Sequence, residues 1–162
     1  MLGLALSTDY GANWQPTTGL PSYEMGEITF HPSNSNIVWA ASMSGPMRST
    51  DGGKTWVSMR AGMPAEDFCY TAPIETILFD SGNSNHLLAF GGSQRQWNTF
   101  CTTELGTVWE STNGGSNWTK RSAVVPGVGV MAATFLAGSR TTLIAAVADA
   151  ATVVPSEAPG IA

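Results

Sequence analysis

Ser49-Thr50-Asp51-Gly52-Gly53-Lys54-Thr55-Trp56 decides how this chain is read. Its pattern, Ser-Thr-Asp/Asn-x-Gly-x-Thr/Asn-Trp, also fits Ser7-Thr8-Asp9-Tyr10-Gly11-Ala12-Asn13-Trp14 and Ser111-Thr112-Asn113-Gly114-Gly115-Ser116-Asn117-Trp118. Three copies within 162 residues define a repeat, which has to be recognised before a single-domain reading is tried. Asp-Gly and Asn-Gly between strands are hairpin signals. The Asp51 carboxylate can accept N–H groups of its own turn, and Asn113 can replace an Asp because its amide oxygen also accepts. Gly11, Gly53 and Gly115 allow a backbone conformation that a side chain disfavours. Trp14, Trp56 and Trp118 are expected to bury their rings between strand layers. Ser7, Asp9, Ser49, Asp51 and Ser111 are therefore expected to be structural, however much the acids invite a catalytic reading.

Working outward, residues 3–6 enter the first copy and 13–15 leave it as a hairpin. Glu27-Ile28-Thr29-Phe30 and Ile37-Val38-Trp39-Ala40-Ala41 read as strands around a turn at 31–36. Residues 47–49 and 55–58 flank the second copy and complete four short strands. The unit then recurs. Ile77-Leu78-Phe79-Asp80-Ser81-Gly82-Asn83-Ser84-Asn85 aligns without a gap to residues 28–36, and Leu87-Leu88-Ala89-Phe90 aligns to residues 37–40. A last pair, near residues 132–135 and 143–147, reaches no motif. The expected fold is all-β: propeller blades of four antiparallel strands, about three blades' worth. Expected boundaries are outer strands at 1–16, full blades at 26–59 and 73–121, and inner strands at 130–147, with an Ala/Pro-rich tail over 148–162. Single-ring propellers carry four to eight blades. The expectation is thus a partial propeller, either a fragment or one subunit of a ring of several chains.

The motif resembles the Asp box, or BNR repeat, of sialidases, sortilin-type ectodomains and xyloglucan-degrading propeller hydrolases, over residues 1–147. The resemblance implies that the motif turns lie on the face opposite an active site. It does not carry over catalytic residues. The family contexts of the xyloglucanase aspartates cannot be matched here. Nor can the sialidase arginine triad, because none of Arg48, Arg60, Arg95, Arg121 and Arg140 sits in a recognisable setting. The chain by itself is not expected to be catalytic.

Spacing points to the other face. From Ser49 to Phe79 is 30 positions, against 23 from Ser7 to Phe30 and 24 from Ser111 to Phe135. From Phe79 to Ser111 is 32 positions, against 19 from Phe30 to Ser49. Both insertions fall in connections on the face away from the motif, and inserted loops on a rigid scaffold are often functional. Each insertion carries one cysteine, Cys69 or Cys101. A disulfide between them is expected, with two buried thiols as the alternative. The same loops hold Glu66, Tyr70, Arg95 and Trp97, a mixture of aromatic faces and polar groups that suits neutral glycans. Glycoside hydrolysis needs two carboxyls. Asp67 and Glu104 are the best-placed pair, with Glu24, Glu27 and Glu75 near the same face. His31 and His86 read as surface residues of short turns. Asn117-Trp118-Thr119 fits a glycosylation sequon, but it lies inside the motif.

Composition narrows the partners. Charged residues are 12%, the net charge is −5, and Lys+Arg number only 7. A surface so poor in cations does not suit nucleic acid. No metal-ligand spacing and no transmembrane run occurs, and Met1–Leu6 lacks a basic leader region. No cofactor is expected. The expected role is part of an extracellular or periplasmic propeller that binds or hydrolyses a glycan or polysaccharide, its remaining blades coming from a longer chain or other subunits. The competing expectations are a non-catalytic protein-binding scaffold and a small lectin-like subunit of an oligomeric ring.

Overall fold

The computed structural model describes residues 3–20, 25–64, 73–91, 106–123 and 128–149. These residues form twelve strands and, among them, no helix. β1 (Ala5–Leu6) pairs with β2 (Gln15–Pro16). β3 (Met25–Phe30), β4 (Val38–Ser42), β5 (Met47–Ser49) and β6 (Val57–Ser58) make one antiparallel sheet in chain order. β7 (Ile74–Asp80), β8 (Asn83–Gly91), β9 (Thr107–Ser111) and β10 (Thr119–Ala123) make a second. β11 (Val128–Phe135) pairs with β12 (Leu143–Asp149). The fold is all-β, and the two four-stranded meanders are propeller blades flanked by a strand pair at each end.

One register runs through the repeats. Phe30 stands opposite Val38, and Val38 opposite Ser49. Phe79 stands opposite Leu87, and Leu87 opposite Ser111. Phe135 stands opposite Leu143. The gap-free similarity read from the sequence is therefore a similarity of pairing.

Successive sheets stack face to face, which is why the second strands are apolar on both sides. β4 (Val-Trp-Ala-Ala-Ser) is buried at every position. Its Val38 and Ala40 join Met47 and Trp56 under Leu4 and Leu20, which flank the first strand pair. Its Trp39 and Ala41 point the other way and pack with Ile77, Leu87, Ala89, Trp109 and Trp118. Leu88 and Phe90 of β8 in turn pack with Val130, Ala133, Phe135, Leu143 and Ala145. Alternating side chains of one strand thus feed two adjacent cores.

Three details depart from the sequence reading. The turn expected at 80–85 is narrower, and β8 already begins at Asn83, opposite Asp80. The Asp80 carboxylate takes the Gly82 N–H at 2.8 Å and closes the turn early. β12 runs through Asp149, two residues into the stretch read as a tail, and residues 150–162 lie outside the described residues. Trp14 is 63% exposed, not buried, because no described strand covers its side of the β1–β2 pair.

Candidate functional site

The three motif turns are built alike. In each, the Ser hydroxyl donates to the Asp or Asn Oδ1: Ser7 to Asp9 at 2.8 Å, Ser49 to Asp51 at 2.7 Å and Ser111 to Asn113 at 2.9 Å. The same hydroxyl accepts the N–H of Gly11, Gly53 or Gly115. The acid or amide Oδ1 then accepts the N–H of Asn13, Thr55 or Asn117, each at 2.9 Å. Hydrogen bonds from the Thr55 side chain and N–H hold the Asp51 carboxyl well below the usual carboxylate range. The corresponding bonds from Asn13 lower Asp9. These oxygens are committed to their own turn and have little capacity left for a substrate. Trp14 and Trp56 donate Nε1–H to Gly11 and Gly53, whereas Trp118 donates to the Met59 carbonyl of the preceding sheet at 2.7 Å.

The motif turns share one rim with the turns between first and second strands. Gly52 N–H donates to Asn36 O, and Gly114 N–H to Asn85 O, both at 2.9 Å. At the opposite rim Ile74 faces Gly91, and Val108 faces Phe90. The sequence between Gly91 and Gly106 therefore leaves and re-enters the sheet at the end remote from Ser111. Glu66, Asp67, Cys69, Tyr70, Arg95, Trp97, Cys101 and Glu104 lie outside the described residues, as does Glu24.

Near that remote rim the first strands of the two blades meet closely. A Cβ on Gly26 would come within 2.7 Å of the Glu75 carbonyl oxygen, so glycine is what lets β3 approach β7. Thr29 donates to the Ile77 carbonyl at 2.8 Å, and buried Thr76 donates through Oγ1 to Glu27 Oε2. Partial burial raises the Glu27 carboxyl above its ordinary range. Glu27 and Glu75 are two carboxylate residues that the fold brings near this rim.

A second polar constellation spans the blade β7–β10 and was not legible beforehand. His86, read as a surface residue, is instead held between two acids. Its Nδ1 is 3.2 Å from Asp80 Oδ2 and its Nε2 2.7 Å from Glu110 Oε1. Arg140, in the β11–β12 turn, donates to both Asp80 oxygens at 2.7 and 2.9 Å. Arg121 on β10 donates to both Glu110 oxygens at 2.7 and 2.8 Å. Burial pulls the imidazole down, but the bonds to Asp80 and Glu110 together outweigh it, and its affinity for a proton rises. Arg140 holds Asp80 well below the usual range, and Arg121 lowers Glu110. Every carboxylate here is paired, so the constellation reads as an interstrand clamp. The signal that could have found it is positional: Glu110 is opposite Leu88, two residues along from His86 on the same face of β8.

Comparison with known proteins agrees with this geometry. The family model Sortilin-Vps10, described as sortilin, neurotensin receptor 3, matches residues 3–151. The chain belongs to the Sortilin-Vps10 family. No curated protein sequence matches it. Among solved structures, this Sortilin-Vps10 chain is similar to an ancestral GH74 enzyme, with 27% identity and a TM-score of 0.68. That likeness covers 90% of the present chain and 19% of the enzyme's, so the chain spans about a fifth of that relative's length. Both likenesses place it among BNR-type β-propellers. Among the described residues of this Sortilin-Vps10 chain, no cluster of His, Cys, Asp and Glu could hold a metal ion. No described helix is long and apolar enough to cross a membrane.

Proposed function

We propose that this chain contributes to an extracytoplasmic propeller that binds or hydrolyses a glycan, with its ligand surface on the rim remote from the motif turns. The observation that carries the reading is the consumption of the motif acids by their own turns, set beside a GH74 enzyme that is 27% identical over 90% of the chain. Asp67 and Glu104 are the proposed carboxyl pair, with Tyr70, Trp97, Glu66 and Arg95 as sugar-facing groups and a Cys69–Cys101 disulfide joining the two loops. Glu27 supports this placement, since it is a carboxyl near that rim whose affinity for a proton is raised by partial burial. A glycan array probed with the protein tests the reading. Retention of neutral oligosaccharides, weakened by Trp97→Ala, is expected; an array without signal overturns it.

The second reading is a non-catalytic scaffold for a protein or peptide, and the family description, which names a receptor, favours it. The same rim would then bind polypeptide. Peptide retention that Trp97→Ala weakens, together with a silent glycan array, would select this reading over the first.

A further inference from the structure

The third motif turn lacks a bond that the other two make. In the first, Asp9 Oδ2 accepts the Asn13 side-chain amide at 2.6 Å, and in the second Asp51 Oδ2 accepts the Thr55 hydroxyl at 2.7 Å. The third turn has Asn113 in place of the acid and Asn117 in the place of Asn13. Asn113 Oδ1 takes the Ser111 hydroxyl and the Asn117 N–H, both at 2.9 Å. What remains of Asn113 is an NH2 group, and a donor cannot accept from the Asn117 amide. Asn117 Nδ2 accordingly turns to the Trp118 carbonyl, at a long 3.5 Å.

Asn113 is also the one asparagine of the sequence that glycine follows. In such a pair the unhindered glycine nitrogen can attack the asparagine Cγ. Here the electrophile is prepared, because the two donors on Oδ1 polarise its carbonyl and stabilise the charge that grows there during attack. The nucleophile is withheld. Gly114 N–H donates to the Asn85 carbonyl at 2.9 Å, so the nitrogen keeps its proton while the motif turn stays docked on the start of β8. Asn113 is exposed, so water reaches the site once that bond opens.

We propose that Asn113 is a site of spontaneous deamidation, gated by the Gly114–Asn85 hydrogen bond, and that the aspartate it yields completes the motif. When the bond opens, Gly114 N gives its proton to solvent and bonds to Asn113 Cγ. The Cγ–Nδ2 bond breaks, and Nδ2 takes a proton from water and leaves as ammonia. Water then cleaves the N–Cγ bond of the succinimide, leaving a carboxyl at position 113 on the original backbone. The sum is amide plus water to acid plus ammonia, with nothing oxidised or reduced. Cleavage at the other ring carbonyl routes the backbone through Cβ, and that product cannot rebuild the turn. The aspartate gains an oxygen that accepts from Asn117 Nδ2 as Asp9 accepts from Asn13. It also resists closing again, because a carboxylate is a weak electrophile and the motif turn holds the Asp9 and Asp51 carboxyls below their usual range.

Peptide mapping of the intact chain, aged at mildly alkaline pH with and without guanidinium chloride, tests this. In denaturant the peptide holding residues 113 and 114 should exchange amide for acid before those holding Asn34 and Asn83, which serine follows. In the folded chain the conversion at 113 should be at least about tenfold slower, because the turn must first open locally. Asn113→Asp should raise the melting temperature of the chain. In an Asn117→Ala background the same substitution should give no rise, since the new acceptor then has no amide to take. Equal rates at 113 in the folded and unfolded chain overturn the gate. An Asn113→Asp chain no more stable than its parent, or a gain that survives Asn117→Ala, overturns the claim that the acid completes the motif.

Discussion

Gly115 lies so close to Trp39 that a Cβ built on it would stand 2.1 Å from the indole Cη2. The motif glycine of one blade is thus the floor on which the central tryptophan of the preceding blade rests. Trp39 in turn meets Trp118 edge-on, with centroids 6.1 Å apart and planes at 86°. The motif therefore joins blade to blade as well as turning its own hairpin.

Gly115→Ala should be among the most damaging single-methyl changes in the chain. It forces Trp39 to move and strains a residue at φ 78°. The expected loss is about 2–5 kcal/mol, summing overpacking and left-handed strain. Gly52→Ala, where the nearest atom is 4.0 Å away, should lose only the strain, about 1–2 kcal/mol. Urea denaturation of the two variants checks the difference.

Ser49→Ala should cost about 1–3 kcal/mol, because it strands the buried Gly53 N–H. Ser7→Ala removes the same bond from Gly11, which is exposed, so water can replace the hydroxyl and the cost should be smaller. Equal losses in thermal unfolding would contradict the idea that burial sets the motif's contribution.

Tyr10 occupies with φ 57° the position that Gly52 and Gly114 fill at 73° and 67°. Its side chain is fully exposed, so nothing is lost by removing it. Tyr10→Gly should stabilise the first hairpin by about 0.5–1 kcal/mol, the relief of left-handed strain less the added freedom of the unfolded chain. Slower amide exchange at Asn13 is the local signature to look for.

The His86 clamp makes stability depend on pH with a definite sign. The folded imidazole binds its proton more tightly than the unfolded one, so its contribution is complete below the unfolded value of about 6.5 and is lost as pH rises through the folded value. Asp80 and Glu110 act oppositely: their contributions are present above about pH 4 and disappear as pH falls. Melting temperatures should decline from pH 6 to pH 8, and His86→Gln should flatten that decline. An unchanged slope in the variant would show that the imidazole is not the group responsible.

The repeat was legible because its signals are local. Ser49, Asp51, Gly53 and Trp56 sit within one turn, and Phe30 and Phe135 follow a motif serine by 23 and 24 positions, with Phe79 set apart by the insertion. Strand pairing and the division of the chain between two rims follow from that spacing. The clamp was not legible because Arg140 lies 60 residues from Asp80, and Glu110 24 residues from His86, so only the stacking and pairing of strands join them. Trp14 misled for a similar reason. Its motif predicts a buried ring, yet burial requires a neighbouring sheet that the described residues do not provide.

The proposed function requires that the motif rim be structural and that the opposite rim meet the ligand. Backbone amide NMR during titration with a mixture of neutral oligosaccharides tests it most directly. Ligand-dependent shifts should appear at Ile74, Gly91 and Thr107, while Gly11, Gly53 and Gly115 stay still. Shifts concentrated at the motif glycines, or none at either rim, would contradict it.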